Sequence, residues 1–566
     1  MHKGIVLIRL TILLFMVIAS GCKNPSHRHR DKKVFRYNEA GGITSLDPAF
    51  ANNEANTRAC MQLYNGLVQT DSELYIKPCI AKSWEILEDG KVFVFHLRSD
   101  VFFHENTSFD CRDEFNIVHN KGNPIRMTRK VTAGDFAFSL KRLTDPLVAS
   151  PCMWVMGKVS RDSLGNLNGV EALNDSMLRI TLDRPFMPFL SMLTMPCCAV
   201  IPHEVVEYFG ADFRSHPCGT GPFQFRIWKP NVEMVFLKNE NYFEKNSKGE
   251  RLPYLDAIEI SFLPRRELAF IEFLKGNLDI LNGMDLTFRD QFLTRTGQLQ
   301  PRFTGKYNFQ VAPYLNTEYL SIVSDCDSGK NLVNPLCDKR IRQALSYGFS
   351  RRDLRRYLHG NIGVPGNDGI VPPGLPSFDS SMVVGCYYYP SKVRALLRDS
   401  GHEDGKGLPE IVLQTNVEAR ELCEYIKKQW EEFGFKIRIE FLSHEEQMRK
   451  INEGQLSFFR SSWIADYPDA ENYLGLFYSK NIPPHGFNTT HFSNPDFDDI
   501  YEKAMAEVND SIRFRYYQYM DQLLIENAPL IVVYYDQSVR LTQLNITGMI
   551  RNAMNLMSLK EVKKIN

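Results

Sequence analysis

Short apolar runs alternate with helical patterns along most of this chain. Lys91-Val92-Phe93-Val94-Phe95-His96-Leu97 is dense in β-branched and aromatic residues and predicts a strand. Residues 176–182 predict another, ended by Pro185. In Thr132-Ala133-Gly134-Asp135 a hydroxyl N-cap is followed by a carboxylate at capping-box spacing, which predicts a helix through Leu143. Cys218-Gly219-Thr220-Gly221-Pro222-Phe223 reads as a tight turn before a strand over 224–228. It lacks the GxxxxGK[ST] pattern, and a strand rather than a helix follows, so it is not a phosphate loop.

Asp338 caps a helix with Ile341, Ala344, Leu345 and Gly348 on one face, and Ser350 with Asp353 caps the next. Residues 419–433 form an amphipathic helix stopped by Gly434. Residues 435–441 then alternate apolar with charged, a half-buried strand. Leu530-Ile531-Val532-Val533-Tyr534-Tyr535 is a dense late strand. The pattern is mixed α/β, without repeats or low-complexity segments.

The start of the chain is different. His2, Lys3 and Arg9 precede residues 10–20, which are apolar apart from Thr11 and Ser20. A permanent membrane helix needs about 20 apolar residues, so this run fits a secretory signal instead. Ile18-Ala19-Ser20-Gly21-Cys22 resembles the bacterial lipobox, which implies cleavage before Cys22 and lipidation of its thiol. Ala19 departs from the commoner bulky aliphatic, and a signal peptide with a chance cysteine is the other reading. Residues 22–33 are polar and basic and read as a flexible tether. His27 and His29 in it read as part of a basic leash near anionic lipid rather than as a metal site. The expected location is the cell envelope outside the cytoplasm, on a lipid anchor.

In the 566-residue chain, Lys+Arg 67 balance Asp+Glu 67, which argues against a nucleic-acid binder. The 12 cysteines show no CxxC spacing and no zinc-ligand set with His. Cys326 and Cys337 are the best candidates for one disulfide, with buried free thiols as the alternative for the rest. No GxSxG, HExxH or Cys/His arrangement points to catalysis, and no cofactor or metal is expected. His203, after Pro202, reads as structural. Asp469 and Glu471 read as helix-start acids facing solvent.

Several segments together resemble the extracytoplasmic solute-binding proteins of oligopeptide and dipeptide ABC importers. They are Ser45-Leu46-Asp47-Pro48, Leu63-Tyr64-Asn65-Gly66-Leu67-Val68, Ala81-Lys82-Ser83-Trp84-Glu85, Phe95-His96-Leu97-Arg98 and Thr132-Ala133-Gly134-Asp135. Gly219-Thr220-Gly221-Pro222-Phe223, Asp338-Lys339-Arg340-Ile341-Arg342-Gln343-Ala344-Leu345 and Trp463-Ile464-Ala465-Asp466-Tyr467 complete the series, in the family's order. The resemblance implies an α/β, two-lobed type II periplasmic-binding-protein fold with an inserted domain and a hinge. Residues 1–21 would be the signal peptide. Residues 34–64, 184–314 and 532–566 would form lobe I, 65–183 the inserted domain and 315–531 lobe II. The implied partners are a peptide ligand, permease subunits of an ABC transporter and the membrane, with the binding protein itself a monomer.

In that family Asp466 stands where a carboxylate holds the ligand's α-amino group. A buried ammonium must be paired or desolvation dominates. The competing reading is a helix N-terminal carboxylate, since Pro468, Asp469 and Glu471 resemble a first helical turn. Trp463 would wall the ligand backbone, or be core. Ser462 to Ile464 would offer main-chain groups as a strand does; the family more often has Gly where this chain has Ser462. Arg460 matches an arginine that meets the ligand's carboxyl end, or makes a strand-end ion pair. Asn53, Glu54 and Asn282 are further cleft candidates. Alternatives are the same fold binding a nickel chelate, haem, opine or oligosaccharide, and a peptide-sensing surface receptor. An exported hydrolase is the weakest alternative.

Overall fold

The computed structural model describes residues 32–109, 117–118, 126–282, 291–323, 334–358 and 360–565. The signal segment, Cys22 and Cys326 lie outside the described residues. Strand β1 (Val34–Asn38) leads to helix α1 (Glu54–Leu63). Strands β2 (Ala81–Leu87) and β3 (Val92–Leu97) then precede helix α2 (Ala133–Arg142). The capping box seen in the sequence is present: Asp135 Oδ2 accepts from the Thr132 amide at 2.8 Å. Strands β4 (Val170–Asn174) and β5 (Met177–Thr181) close a four-stranded sheet in the order β2-β3-β5-β4.

The chain then returns to its start. Strands β6 (Phe223–Lys229), β7 (Glu233–Lys238) and β8 (Ala257–Ser261) add to β1 in the order β1-β8-β7-β6, with β1 parallel to β8. The Gly-Thr-Gly-Pro turn before β6 rests on the end of α1. A Cβ on Gly221 would lie 2.4 Å from the Leu63 carbonyl carbon, so only glycine fits. His104 braces the same turn, its Nε2 3.0 Å from the Gly221 carbonyl and its Nδ1 accepting from the Gly219 amide. Burial lowers its pKa to about 4, so the ring is neutral. Gly221→Ala is expected to destabilise the fold by about 2 kcal/mol through overpacking; thermal melting measures it, and an unchanged melting temperature would refute this account of the turn.

Strand β9 (Ile280–Asn282) begins the largest sheet, and the long β10 (Tyr307–Ile322) runs through its centre. Helices α3 (Lys339–Tyr347) and α4 (Arg351–Leu358) follow, then β11 (Ile411–Thr415), α5 (Arg420–Glu431), β12 (Ile437–Phe441) and β13 (Phe458–Ile464). Helix α6 (Asp510–Asn527) precedes β14 (Leu530–Gln543), and the sheet order is β9-β14-β10-β13-β11-β12. The late strand is longer than its apolar run predicts, because it continues through Asp536 and Gln537.

β10 and β14 pair along almost their whole lengths, and their register breaks between Pro313 and Thr317. On one side of the break they pair at 307–313 with β9 alongside. On the other they pair at 317–321 with β13 alongside. The same two strands therefore run through both halves of the sheet.

On one face of the second half, Leu320, Ile322, Phe458, Ile531 and Val533 pack against Ile341, Leu345, Ile426 and Trp430. The other face buries Tyr319 and Tyr535 in a core that includes Leu375, Tyr517 and Leu524. Eight cysteines, at 60, 79, 152, 197, 198, 218, 386 and 423, are free and buried. Cys337 is disulfide-bonded.

Candidate functional site

Where β10, β13 and β14 leave the apolar core, their shared face turns polar. Asn316 lies opposite Ile464, Glu318 opposite Ser462 and Tyr534, and Leu320 opposite Arg460. Arg460 grips Glu318 with two nitrogens, its Nη2 at 2.7 Å from Oε2 and its Nε on Oε1. Glu318 is 1% exposed, and burial pushes its carboxyl up to about 7 even with the guanidinium beside it. Arg460 thus makes the ion pair that competed with a ligand role in the sequence. Its partner Glu318, absent from the sequence candidates, is a second charge of the site. Asp536, half-buried, accepts from Asn316 Nδ2 at 2.9 Å, and burial raises its carboxyl above the usual range.

β13 also has a free edge. Its pairing with β11 is confined to Gln414 and Phe459, so residues 460–464 have no strand on that side among the described residues. Alternate residues of a strand direct their main-chain groups to opposite edges. The Ala465 amide donates to Leu315 at 2.9 Å, toward β10. The Arg460 carbonyl accepts from Gln447 Nε2 at 2.8 Å, on the other side. The amides and carbonyls of Ser462 and Ile464 share that outward direction. Both residues are exposed, Ile464 to 51%.

Asp466 follows directly. Its side chain is open to solvent on one side, yet the surrounding protein withdraws enough water to push its carboxyl above the usual aspartate range, which a hydrogen bond from Asn472 partly offsets. Its charge reaches Cys152 and Tyr473. Asn472 sets the geometry: its Oδ1 accepts from Trp463 Nε1 at 2.8 Å and from the Asp466 amide at 3.1 Å. Trp463 is half-buried on the face opposite Ser462 and Ile464, its ring 5.7 Å from that of Phe487, which is 69% exposed.

Asp469 and Glu471 do not face solvent as expected; each is 6% exposed. Glu471 is buried because it accepts hydroxyls from Tyr467 and, at 2.5 Å, from Tyr501. Asp469 accepts from the Glu471 amide at 2.9 Å. These acids fix the loop behind Asp466 rather than solvating it.

Asn53, Glu54 and Asn282 form a separate group. Asn53 is the N-cap of α1, its Oδ1 accepting from Asn56 at 3.0 Å. Glu54 pairs with Arg58 and accepts from Asn555 Nδ2 at 2.9 Å. Asn282 accepts from Arg540 Nε at 3.1 Å, and Arg540 Nη2 bonds Asn555 Oδ1 at 2.8 Å. Glu54 and Asn282 are therefore joined through Arg540 and Asn555. Burial, with the nearby charges of Glu54 and Asp536, pushes the Tyr314 hydroxyl up to about 12.

Asn472→Ala would leave two donors unpaired around Asp466. Each costs about 1–3 kcal/mol when buried, so a measurable drop in melting temperature is expected together with loosened Trp463 fluorescence. An unperturbed emission spectrum would contradict the positioning role of Asn472.

Residues 75–483 match the model for bacterial extracellular solute-binding proteins, family 5. A glutathione-binding protein, GsiB, of Shigella flexneri is 24% identical over 513 residues, covering 89% of this chain and 90% of the relative. The structure of HbpA2 from Haemophilus parasuis superposes with a TM-score of 0.79 at 20% identity, over 94% of this chain and 100% of the other. The periplasmic binding protein DppA from Helicobacter pylori, in complex with peptide STSA, superposes at 0.68 with 20% identity, over 94% and 98%. These likenesses give the two-lobed type II fold. With the family model matching well over half its length, the chain belongs to family 5 of the bacterial extracellular solute-binding proteins.

Proposed function

We propose that this chain captures peptides between two closing lobes and delivers them to the permease of an ABC importer. The observation that carries this reading is the unpaired edge of β13 ending at Asp466. An extended peptide adds to such an edge through main-chain hydrogen bonds, which accept any sequence. Asp466 then lies where the peptide's ammonium would neutralise it, and closure would remove both from water. Cargo binding stabilises the closed state and so shifts the open–closed balance. The glutathione ligand of one relative and the peptide bound to another support the same ligand class.

The lobes run over 34–64, 184–314 and 532–566 for the first and 315–531 for the second, with 65–183 inserted. Asn53, Glu54 and Asn282 belong to the first jaw; Arg460, Ser462, Trp463, Ile464 and Asp466 belong to the second. The protein acts as a monomer, without catalysis, held to the membrane through lipid on Cys22. Calorimetry with a panel of dipeptides to pentapeptides tests the cargo class. Heat for several unrelated sequences is expected. No heat for any peptide, with heat for a metal chelate or a sugar, would overturn it.

A further inference from the structure

A cavity of about 1260 Å³ lies between residues 293–300 and helix α4, with no described residue of β13 in its lining. Arg295, Arg352, Arg355 and Arg356 line it, together with the hydroxyls of Thr296 and Ser350. Its one lining carboxylate among the described residues, Asp353, accepts from Ser350 Oγ at 2.7 Å as part of the helix cap. None of these arginines makes an ion pair among the described residues. Among the described residues Arg355 reaches only Asn361 Oδ1 at 3.3 Å and the Gly363 carbonyl at 3.4 Å, and its buried Nε has no partner there. Arg352, Arg355 and Arg356 stand at helical neighbour spacing, where like charges repel. A cavity that gathers uncompensated guanidinium groups is suited to an anion, which they bind as paired donors.

The two walls belong to different cores. Phe292 and Leu293 pack with Leu541 in the first-lobe half of β14. Leu354 of α4 packs with Leu345 and Ile426 in a different core. The walls meet where Asn361 Nδ2 donates to the Arg295 carbonyl at 2.7 Å.

We propose that this cavity is a binding site for a small ligand carrying at least two phosphoryl or carboxylate groups, clasped by Arg295 from one lobe and Arg352, Arg355 and Arg356 from the other. The ligand bridges the hinge and thereby links anion binding to the open–closed balance. The site stands independently of the cargo in the main cleft.

Titrating inorganic pyrophosphate into the full-length protein at fixed ionic strength tests it. Binding is expected, and Arg295→Gln and the double variant Arg352→Gln/Arg356→Gln, on opposite walls and at exposed positions, should each weaken it by about thirtyfold. Vesicles containing cardiolipin, whose headgroup carries two phosphates, distinguish the source: vesicle binding displaced by pyrophosphate assigns a lipid headgroup, and pyrophosphate binding without vesicle binding assigns a free solute. No pyrophosphate binding, or equal affinity in the wild type and both variants, overturns the proposal. Peptide titrations on the same samples keep this result separate from the cargo reading, because the variants leave the β13 edge intact.

Discussion

Asp466→Asn is expected to weaken peptide binding by about 3–5 kcal/mol, on the order of a hundredfold to a thousandfold in Kd. The asparagine keeps the shape and the link to Asn472 but removes the charge. In the closed complex the peptide ammonium would then be buried without a counter-ion, and that uncompensated charge is the source of the loss. Stability should barely change, because Asp466 is exposed before closure and surface substitutions usually stay within about 0.5 kcal/mol. Calorimetry and melting on the same sample separate the two effects. A large fall in melting temperature with unchanged affinity would make Asp466 a structural cap.

Arg460→Leu should act in the opposite way, on folding first. Glu318 would be left buried without its cation, which costs about 3–5 kcal/mol. The pH dependence identifies the cause. Burial raises the Glu318 carboxyl from its ordinary 4.5 to about 7 in the folded protein. Between those values the folded state holds a proton that the unfolded state has released. This contribution to stability is therefore complete below about 4.5 and fades as pH rises through about 7. Removing Arg460 pushes the carboxyl higher still, so the variant should approach wild-type stability in acid and fall away steeply above neutrality. Glu318→Gln/Arg460→Leu should recover most of the loss and remove the Glu318 slope. The contribution of Asp521 would remain, since its buried carboxyl is also pushed up to about 7. Equal losses for Arg460→Leu at low and high pH would contradict the buried-charge account. Denaturant melts across the pH range provide the measurement.

Local features were legible in the sequence because their determinants are neighbours. The Thr132–Asp135 box, the Ser350–Asp353 cap, the amphipathic helix before Gly434 and the alternating strand after it all stand as read. The Gly-Thr-Gly-Pro turn was legible as a turn, but its packing against Leu63 depends on a distant segment. Glu318 was not legible, because its partner Arg460 is 142 residues away and nothing beside it marks a buried acid. Asp469 and Glu471 carry the composition of a solvated helix start. Only the fold brings Tyr501 onto Glu471 and closes them off. The polar Asp536 and Gln537 mask a continuing strand, since they bond Asn316 and the Gly363 amide, partners far away in sequence. Asn472 carries no mark in the sequence, because its role depends on two donors meeting one oxygen.

The claim on which the function rests is that Asp466 receives the amino terminus of the cargo. Any peptide that binds in the calorimetric panel provides the most direct comparison, measured beside its N-acetylated form on the unmodified protein. Acetylation removes the ammonium and little else. Acetylation is expected to weaken binding by about a hundredfold or more, and Asp466→Asn should no longer distinguish the two forms. Equal affinity of the wild type for both peptides would contradict it.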